Sequence, residues 1–103
     1  MLFGGNKKLA ISLLSRINAC INAETIRDII VQPQMRFHKL GNFGKGKNLL
    51  GYYAIDVSTI RDPWRIIVEP LDDDEKSFED INIFEIAKEI RIIEIREISK
   101  HYE

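Results

Sequence analysis

The apolar positions in the first third of the chain recur at helical spacing. Their three- and four-residue steps, beginning after Asn6, place them on one face of a helix. They are Leu9, Leu13, Leu14, Ile17, Cys20 and Ile21. Asn6 is a suitable N-cap, because its side chain can accept a hydrogen bond from an unpaired backbone N–H. Residues 23–31 predict a shorter helix that ends before Pro33, since a residue preceding proline disfavours the α region. Its inward positions are Ile26, Ile29 and Ile30.

After Pro33 the apolar period shortens to that of strands. Residues 35–40 alternate imperfectly, and the glycine-rich stretch 41–48 predicts a loop or hairpin connection. "LLGYYAIDV", residues 49–57, alternates cleanly and predicts a strand. Its two faces are Tyr53, Ile55 and Val57 on one side and Tyr52, Ala54 and Asp56 on the other. "WRIIVEP", residues 64–70, predicts the next strand, stopped by Pro70, and residues 71–80 read as an acidic, exposed loop.

The isoleucine-rich C-terminal segment fits both helical and strand periods. Isoleucines crowd around residues 90–98, which favours a strand because β-branched side chains suit a pleated surface. We therefore predict a short helical turn near 80–88 and a strand over about 89–98. The fold class that follows is α+β, with two N-terminal helices packed on a curved, mainly antiparallel sheet of about four strands.

Length and composition predict a single domain over residues 1–103 in a reducing compartment. The chain is 45% hydrophobic and 30% charged, which is typical of a globular domain. The lone Cys20 cannot form an internal disulfide and is predicted to be a small buried side chain in a cytoplasmic protein. No apolar run reaches the length that spans a bilayer, so no membrane partner is expected.

The near-neutral net charge of −1 conceals a polarised chain. Residues 1–65 hold ten basic and four acidic residues, whereas residues 66–103 hold five basic and twelve acidic ones. Such a chain can present a basic face to an anion while staying neutral overall. The alternative is that the acidic part only neutralises the basic part within the fold.

Candidate chemistry is confined to cations, histidines and aromatic side chains. The chain has no Walker spacing, no nucleophile elbow and no paired-carboxylate signature, and two histidines and one cysteine far apart predict no metal site and no cofactor. Cations can stabilise charge that develops on a phosphodiester, and His or Tyr can move protons. The candidate set is Arg36, His38, Lys39, Lys45, Lys47, Arg65, Lys100, His101 and Tyr102.

Arg65 is the candidate cation that is hardest to explain as solvent-exposed. It lies between Trp64 and an apolar run, where an unpaired guanidinium would be costly to bury. Either it pairs with a structural carboxylate or it lines a site for an anionic ligand. Its candidate partners are Asp56, Glu69 and Glu97. We favour the ligand and predict an arginine that is unpaired at rest, on the sheet face opposite Ile66 and Val68.

The motifs "RFHKLGNFGKGKNLLGYYAIDV", "PWRIIVEP" and "IRIIEIREISKHY" resemble the killer-protein, HigB-like branch of the RelE/ParE toxin superfamily. The resemblance covers roughly residues 7–102 and is strongest at residues 51–56 and 64–70. It implies helices on a curved antiparallel sheet and a cytoplasmic toxin of a type II toxin–antitoxin system, as found in plasmid maintenance and growth inhibition. The implied activity is metal-independent cleavage of mRNA on the ribosome by attack of the ribose 2′-hydroxyl. The implied partners are mRNA, the ribosome and an antitoxin of helix-turn-helix type.

The resemblance also assigns roles to individual residues. Arg65 matches the strand arginine that would contact the scissile phosphate, and His101 and Tyr102 match the terminal Tyr-His pair in swapped order. Those three would be catalytic. The expected RNA-binding residues are Arg36, His38, Lys39, Lys45, Lys47 and Lys100. Gly41 replaces the lysine of the family's His-x-Leu-Lys-Gly turn, and Lys100 replaces the terminal aspartate.

Two alternatives to the ribonuclease stay open. One is a catalytically degenerate protein that keeps the fold and acts as a non-enzymatic partner-binding protein, as the two replacements suggest. The other is a toxin that inhibits a DNA topoisomerase through protein contacts. The sequence does not determine the codon preference, the ribosome dependence or the oligomeric state. A homo-oligomer is one of the open states.

Overall fold

The helices precede the sheet, as in the predicted order. The computed structural model describes residues 7–40, 43–44, 47–48, 51–57, 64–78 and 81–100, with the backbone alone described at 43–44, 47–48 and 100. The helices are α1 (Lys7–Asn22) and α2 (Arg27–Ile30). Single 3₁₀ turns follow at Pro33–Met35, Ile83–Glu85 and Ala87–Glu89. The strands are β1 (His38–Lys39), β2 (Phe43–Gly44), β3 (Lys47–Asn48), β4 (Tyr53–Asp56), β5 (Trp64–Leu71) and β6 (Ile92–Lys100).

The main sheet is antiparallel throughout, with strand order β1-β4-β5-β6, and β2 pairs with β3 in a separate hairpin. These elements confirm the α+β prediction. In the register, Asp56 lies opposite Arg65, and Arg65 lies opposite Ser99. The β5–β6 register shifts between Ile67 and Val68, where Arg96 is left without a Cα partner. Such a bulge re-aims the side chains around it.

The main core lies between the helices and one face of the sheet. The helical region contributes buried Leu13, Cys20, Ile26, Ile29 and Met35. The sheet contributes Tyr53, Ile55, Val57, Ile66 and Val68. The predicted β4 face and the buried Cys20 are thus confirmed, and burial raises the pKa of the Cys20 thiol.

A smaller core occupies the other side of the sheet, which we call the second face. It contains Leu40, Ala54 and Ile67, all buried, with Tyr52 packed against them. Side chains alternate along a strand, so Asp56 and Arg65 share this face with Ala54 and Ile67. Arg65 therefore lies opposite Ile66 and Val68, as predicted.

Two helix predictions were wrong. Leu14 and Ile21, placed on the buried stripe, are 60% and 71% exposed. They sit next to the buried positions Leu13 and Cys20, and consecutive helical residues differ by about 100° around the axis. The sheet covers α1 from one side, so the burial stripe is narrower than the apolar stripe.

The strand boundaries also differ from the predictions. β5 continues through Pro70 to Leu71. Its pairing with β4 ends at Val68, so Pro70 has a neighbour on one side alone, where a missing N–H is tolerated. β6 begins at Ile92, later than the expected residue 89, because Ala87–Glu89 forms a 3₁₀ turn.

Candidate functional site

A buried carboxylate joins two arginines on the second face. Asp56, the last residue of β4, is 1% exposed although it carries a charge. Arg65 Nε lies 2.9 Å from its Oδ1, and Arg36 Nε lies 2.8 Å from its Oδ2. Asp56 is thereby ion-paired on both oxygens. We call Arg36, Asp56 and Arg65 the arginine–aspartate cluster.

Arg36 reaches the cluster through an unusual backbone conformation. It ends the 3₁₀ turn Pro33–Met35 with φ of 46°, in the left-handed region, and its N–H donates to the carbonyl of Pro33 at 3.1 Å. Its own carbonyl accepts a hydrogen bond from Nδ1 of His38 at 2.6 Å. A carbonyl cannot donate, so His38 carries its hydrogen on Nδ1 in this contact. His38 thus helps to hold the turn that presents Arg36.

Arg65 is held on both sides of its guanidinium. Besides its contact with Asp56, Nη1 donates to the carbonyl of Trp64 at 2.8 Å, and the side chain is 18% exposed. From α1, Arg16 Nε donates to the backbone carbonyl of Asp56 at 3.1 Å. The expectation of an arginine that is unpaired at rest was therefore wrong: Asp56, one of its three candidate partners, pairs with it. The register explains the pairing, because β4 and β5 place the two residues directly opposite each other.

The ion pairs at Asp56 are short, but their donors and acceptors are not aligned as in hydrogen bonds. Both carboxylate oxygens lie within ion-pair distance of an Nε atom, yet among the described residues neither has a hydrogen-bond partner with aligned geometry. At these distances the oppositely charged groups attract each other, whereas a contact without an aligned donor lacks the directional part of a hydrogen bond. A buried charge in this condition is costly, so the cluster does not have the geometry expected of optimal structural support.

A second ion-pair group lies further along β5. The cross-strand pair Glu69 and Glu94 brings two like charges together, which is unfavourable. Arg96 at the bulge contacts both: its Nε lies 2.9 Å from Glu69 Oε1, and its Nη2 lies 3.1 Å from Glu94 Oε2. The hydrogen bond to Glu69 raises the pKa of Arg96. Glu69, four residues from Arg65, is about 13 Å away at the usual strand rise.

The remaining predicted site residues do not all join the cluster. His38 lies opposite Ala54 and so shares the second face, whereas Lys39 lies opposite Tyr53, points to the other face and is exposed. Lys47 and Lys100 have a described backbone in β3 and β6. Lys45, His101 and Tyr102 lie outside the described residues, as do the side chains of Lys47 and Lys100.

The acidic loop is remote from the cluster. It begins at Asp72, seven residues along the chain from Arg65, or about 23 Å at strand rise. It is not structureless: Asp72 Oδ1 accepts from the N–H groups of Asp74 and Lys76 at 2.8 and 2.9 Å. The acidic loop thus begins well away from Arg65. The described second face is nevertheless not strongly electropositive, because its arginines pair with Asp56, Glu69 and Glu94.

The cluster combines two cationic side chains with one anionic side chain, and such an excess of positive charge suits an oxyanion. Two guanidiniums and one carboxylate leave a net charge of about +1 at neutral pH, and Arg36 is 49% exposed. A cavity of about 370 Å³ lies elsewhere, between Arg27 and the segment Phe84–Glu89, and no predicted site residue lines it. Among the described residues there is no group of three or more His, Cys, Asp or Glu side chains placed to hold a metal ion, and no helix there is long and apolar enough to cross a membrane.

Sequence reasoning missed Arg16 and Arg96 and gave Asp56 only a structural role. An acidic residue on a face otherwise formed by Tyr52 and Ala54 was the available signal for Asp56. Nothing in the helical period of α1 indicates that Arg16 reaches a strand end, and the bulge that leaves Arg96 unpaired has no sequence signature.

Comparison of the chain with family models, curated proteins and solved structures returned no match.

Proposed function

We propose that this protein is the toxin component of a type II toxin–antitoxin system and cleaves mRNA. The observation that carries the proposal is the convergence of Arg36 and Arg65 on one sheet face, where Asp56 holds both. A pair of guanidiniums with net positive charge suits the phosphates of RNA. The motif resemblance supplies the reaction.

The register of β5 against β6 brings the end of β6 beside Arg65. Ser99 lies opposite Arg65, and His101 and Tyr102 follow Ser99 by two and three residues in the chain. Arg65 is thus level with the final residues of β6. This register supports their joint use on one phosphate.

In the proposed reaction, the ribose 2′-oxygen attacks the adjacent phosphorus and the bond from phosphorus to the 5′-oxygen breaks. His101 or Tyr102 removes the 2′-hydroxyl proton, and the other supplies a proton to the leaving 5′-oxygen. Arg65 stabilises the charge on the phosphorane-like transition state. Arg36, His38, Lys45, Lys47 and Lys100 bind the flanking RNA, whereas Lys39, opposite Tyr53 on the other face of the sheet, is not part of this site.

The test is induced expression of the chain without its antitoxin, with growth and mRNA 5′ ends followed together. The wild type should arrest growth and create new 5′ ends. Arg36→Gln should weaken both effects, because it removes an exposed cation from the site. Arg91→Gln is the matched control, since Arg91 is exposed and outside the cluster. Growth that continues at a verified level of soluble protein would contradict the proposal.

A second candidate is the degenerate, non-enzymatic member that binds a partner protein. The observation that favours it is the pairing of Arg65 with Asp56, which gives this arginine a structural role. It predicts no growth arrest and no new 5′ ends, together with a stable complex with a helix-turn-helix protein. Co-purification with the product of a neighbouring gene would separate this outcome from inactivity through misfolding.

A further inference from the structure

Two energetically unfavourable features coincide at the arginine–aspartate cluster. Arg36 adopts a left-handed backbone conformation, which is uncommon outside glycine, asparagine and aspartate. Asp56 is a buried carboxylate, and no residue in the described part of the chain makes an aligned hydrogen bond to either of its oxygens. Such features persist where the surrounding structure imposes them, and they concentrate at functional sites. Their coincidence on two residues in direct contact calls for a functional explanation.

We propose that Asp56 is a positioning residue that assembles Arg36 and Arg65 into one binding site for a phosphodiester oxyanion. This inference rests on the proposed function, because it takes RNA as the source of the phosphate. Asp56 does not touch the ligand. It acts through the two arginines.

The exposures establish the direction from which a ligand approaches. The side chains of Asp56, Arg65 and Arg36 are 1%, 18% and 49% exposed. The carboxylate is thus at the bottom of the cluster and Arg36 at its rim. An anion arriving from solvent meets the guanidiniums before the carboxylate.

The atoms used in the ion pairs leave Arg36 able to bind a second anion. It contacts Asp56 through Nε, at one edge of the guanidinium. The edge formed by Nη1 and Nη2 is the other edge that can bind an oxyanion with two parallel hydrogen bonds. Among the described residues, no second carboxylate pairs with Arg36. Fixing the planar group in advance also reduces the entropy lost on binding.

The charge at the cluster makes the inference testable, because two roles of Asp56 predict opposite results. Asp56→Asn removes a negative charge. If Asp56 merely competed with the ligand, the substitution would tighten anion binding. If Asp56 positions the arginines, the substitution weakens binding in spite of the added positive charge, because the amide offers one acceptor and presents a donor to the other arginine.

The experiment measures binding of two probes to the full chain by calorimetry. One probe is a single-stranded 2′-O-methyl oligoribonucleotide, which lacks the attacking hydroxyl, and the other is inorganic phosphate. The variants are Asp56→Asn, Arg36→Gln, their double substitution and the control Arg91→Gln. Thermal unfolding of each variant shows whether it is folded at the temperature of the measurement.

We expect Asp56→Asn and Arg36→Gln each to weaken oligonucleotide binding by about tenfold or more, as for loss of a hydrogen bond between charged groups, and the control Arg91→Gln to leave it unchanged. The double substitution should weaken it little beyond Asp56→Asn, because both changes disable the same arginine. The logarithm of the binding constant falls linearly with the logarithm of the salt concentration, and the loss of one single-strand phosphate contact makes this slope shallower by about 0.7. We expect this change in both Asp56→Asn and Arg36→Gln. A purely structural Asp56 would not change this slope in protein that remains folded.

Tighter or unchanged binding by folded Asp56→Asn overturns the inference, as do additive losses in the double substitution. If Asp56→Asn does not fold, the decision passes to Arg36→Gln: unchanged affinity of this variant for both probes overturns the inference, and a weakened affinity with a reduced salt slope supports it. Binding of inorganic phosphate that depends on Asp56, without oligonucleotide binding or growth arrest, would keep the oxyanion site and reject the RNA function.

Discussion

Replacement of Arg65 by alanine removes one of the two cations that neutralise a buried carboxylate. Removing one partner of a buried ion pair costs about 3–5 kcal/mol when the other charge is left alone. Here Arg36 stays 2.8 Å from Asp56, and the Arg65 side chain is 18% exposed. We therefore expect Arg65→Ala to lower the free energy of unfolding by about 2–3 kcal/mol. Arg36→Ala should cost about 1 kcal/mol, because its half-exposed side chain is more strongly screened by solvent.

Urea unfolding followed by fluorescence measures this loss. Trp64, the only tryptophan, is half-buried in β5 beside Arg65. With a slope of about 1–3 kcal/mol per molar urea, the midpoint should fall by about 0.7–3 M. A double-mutant cycle with Asp56→Ala isolates the pair, and a coupling of about 1 kcal/mol or more is expected. Arg65→Ala within about 0.5 kcal/mol of the wild type, or additive losses in the cycle, would refute the structural role of the pair.

Three further predictions concern other parts of the fold. Arg96→Ala should destabilise by about 1–2 kcal/mol, because it leaves the buried carboxylate of Glu69 opposite a like charge; an unchanged urea midpoint would contradict this. Leu13→Ala should lower the free energy of unfolding by about 2–4 kcal/mol through the cavity it leaves, whereas Leu14→Ala should change it by no more than about 0.5 kcal/mol. Equal losses on urea unfolding would contradict the burial of the Leu13 side of α1. Burial raises the pKa of the Cys20 thiol, so its contribution to stability is complete below the ordinary pKa and is lost as the pH rises towards the raised value. The free energy of unfolding of Cys20→Ala should therefore fall less than that of the wild type between about pH 7 and pH 10. Equal falls in the two proteins would show that the Cys20 thiol does not contribute to this pH dependence.

The sequence by itself determined the order and type of the main elements. The change from helical to alternating period at Pro33 separates the helices from the strands, and the alternation of residues 52–57 gives the two faces of β4. Both follow from local geometry, since side chains recur every 3.6 residues in a helix and every two in a strand. The crowding of isoleucine after residue 90 similarly identified β6, because β-branched side chains favour a pleated surface over a helix.

The tertiary structure alone decided which charges meet and which apolar side chains are buried. Arg65 has three candidate carboxylates in the sequence, and the register of β4 against β5 selects Asp56. Strand register depends on pairing across the whole sheet, which no local pattern contains. Leu14 and Leu13 are chemically identical neighbours, and their burial differs because the sheet covers one side of α1. The ion pairs of Asp56 with Arg36 and Arg65 likewise form only when the turn at Pro33–Met35, β4 and β5 come together, so they depend on the packed fold.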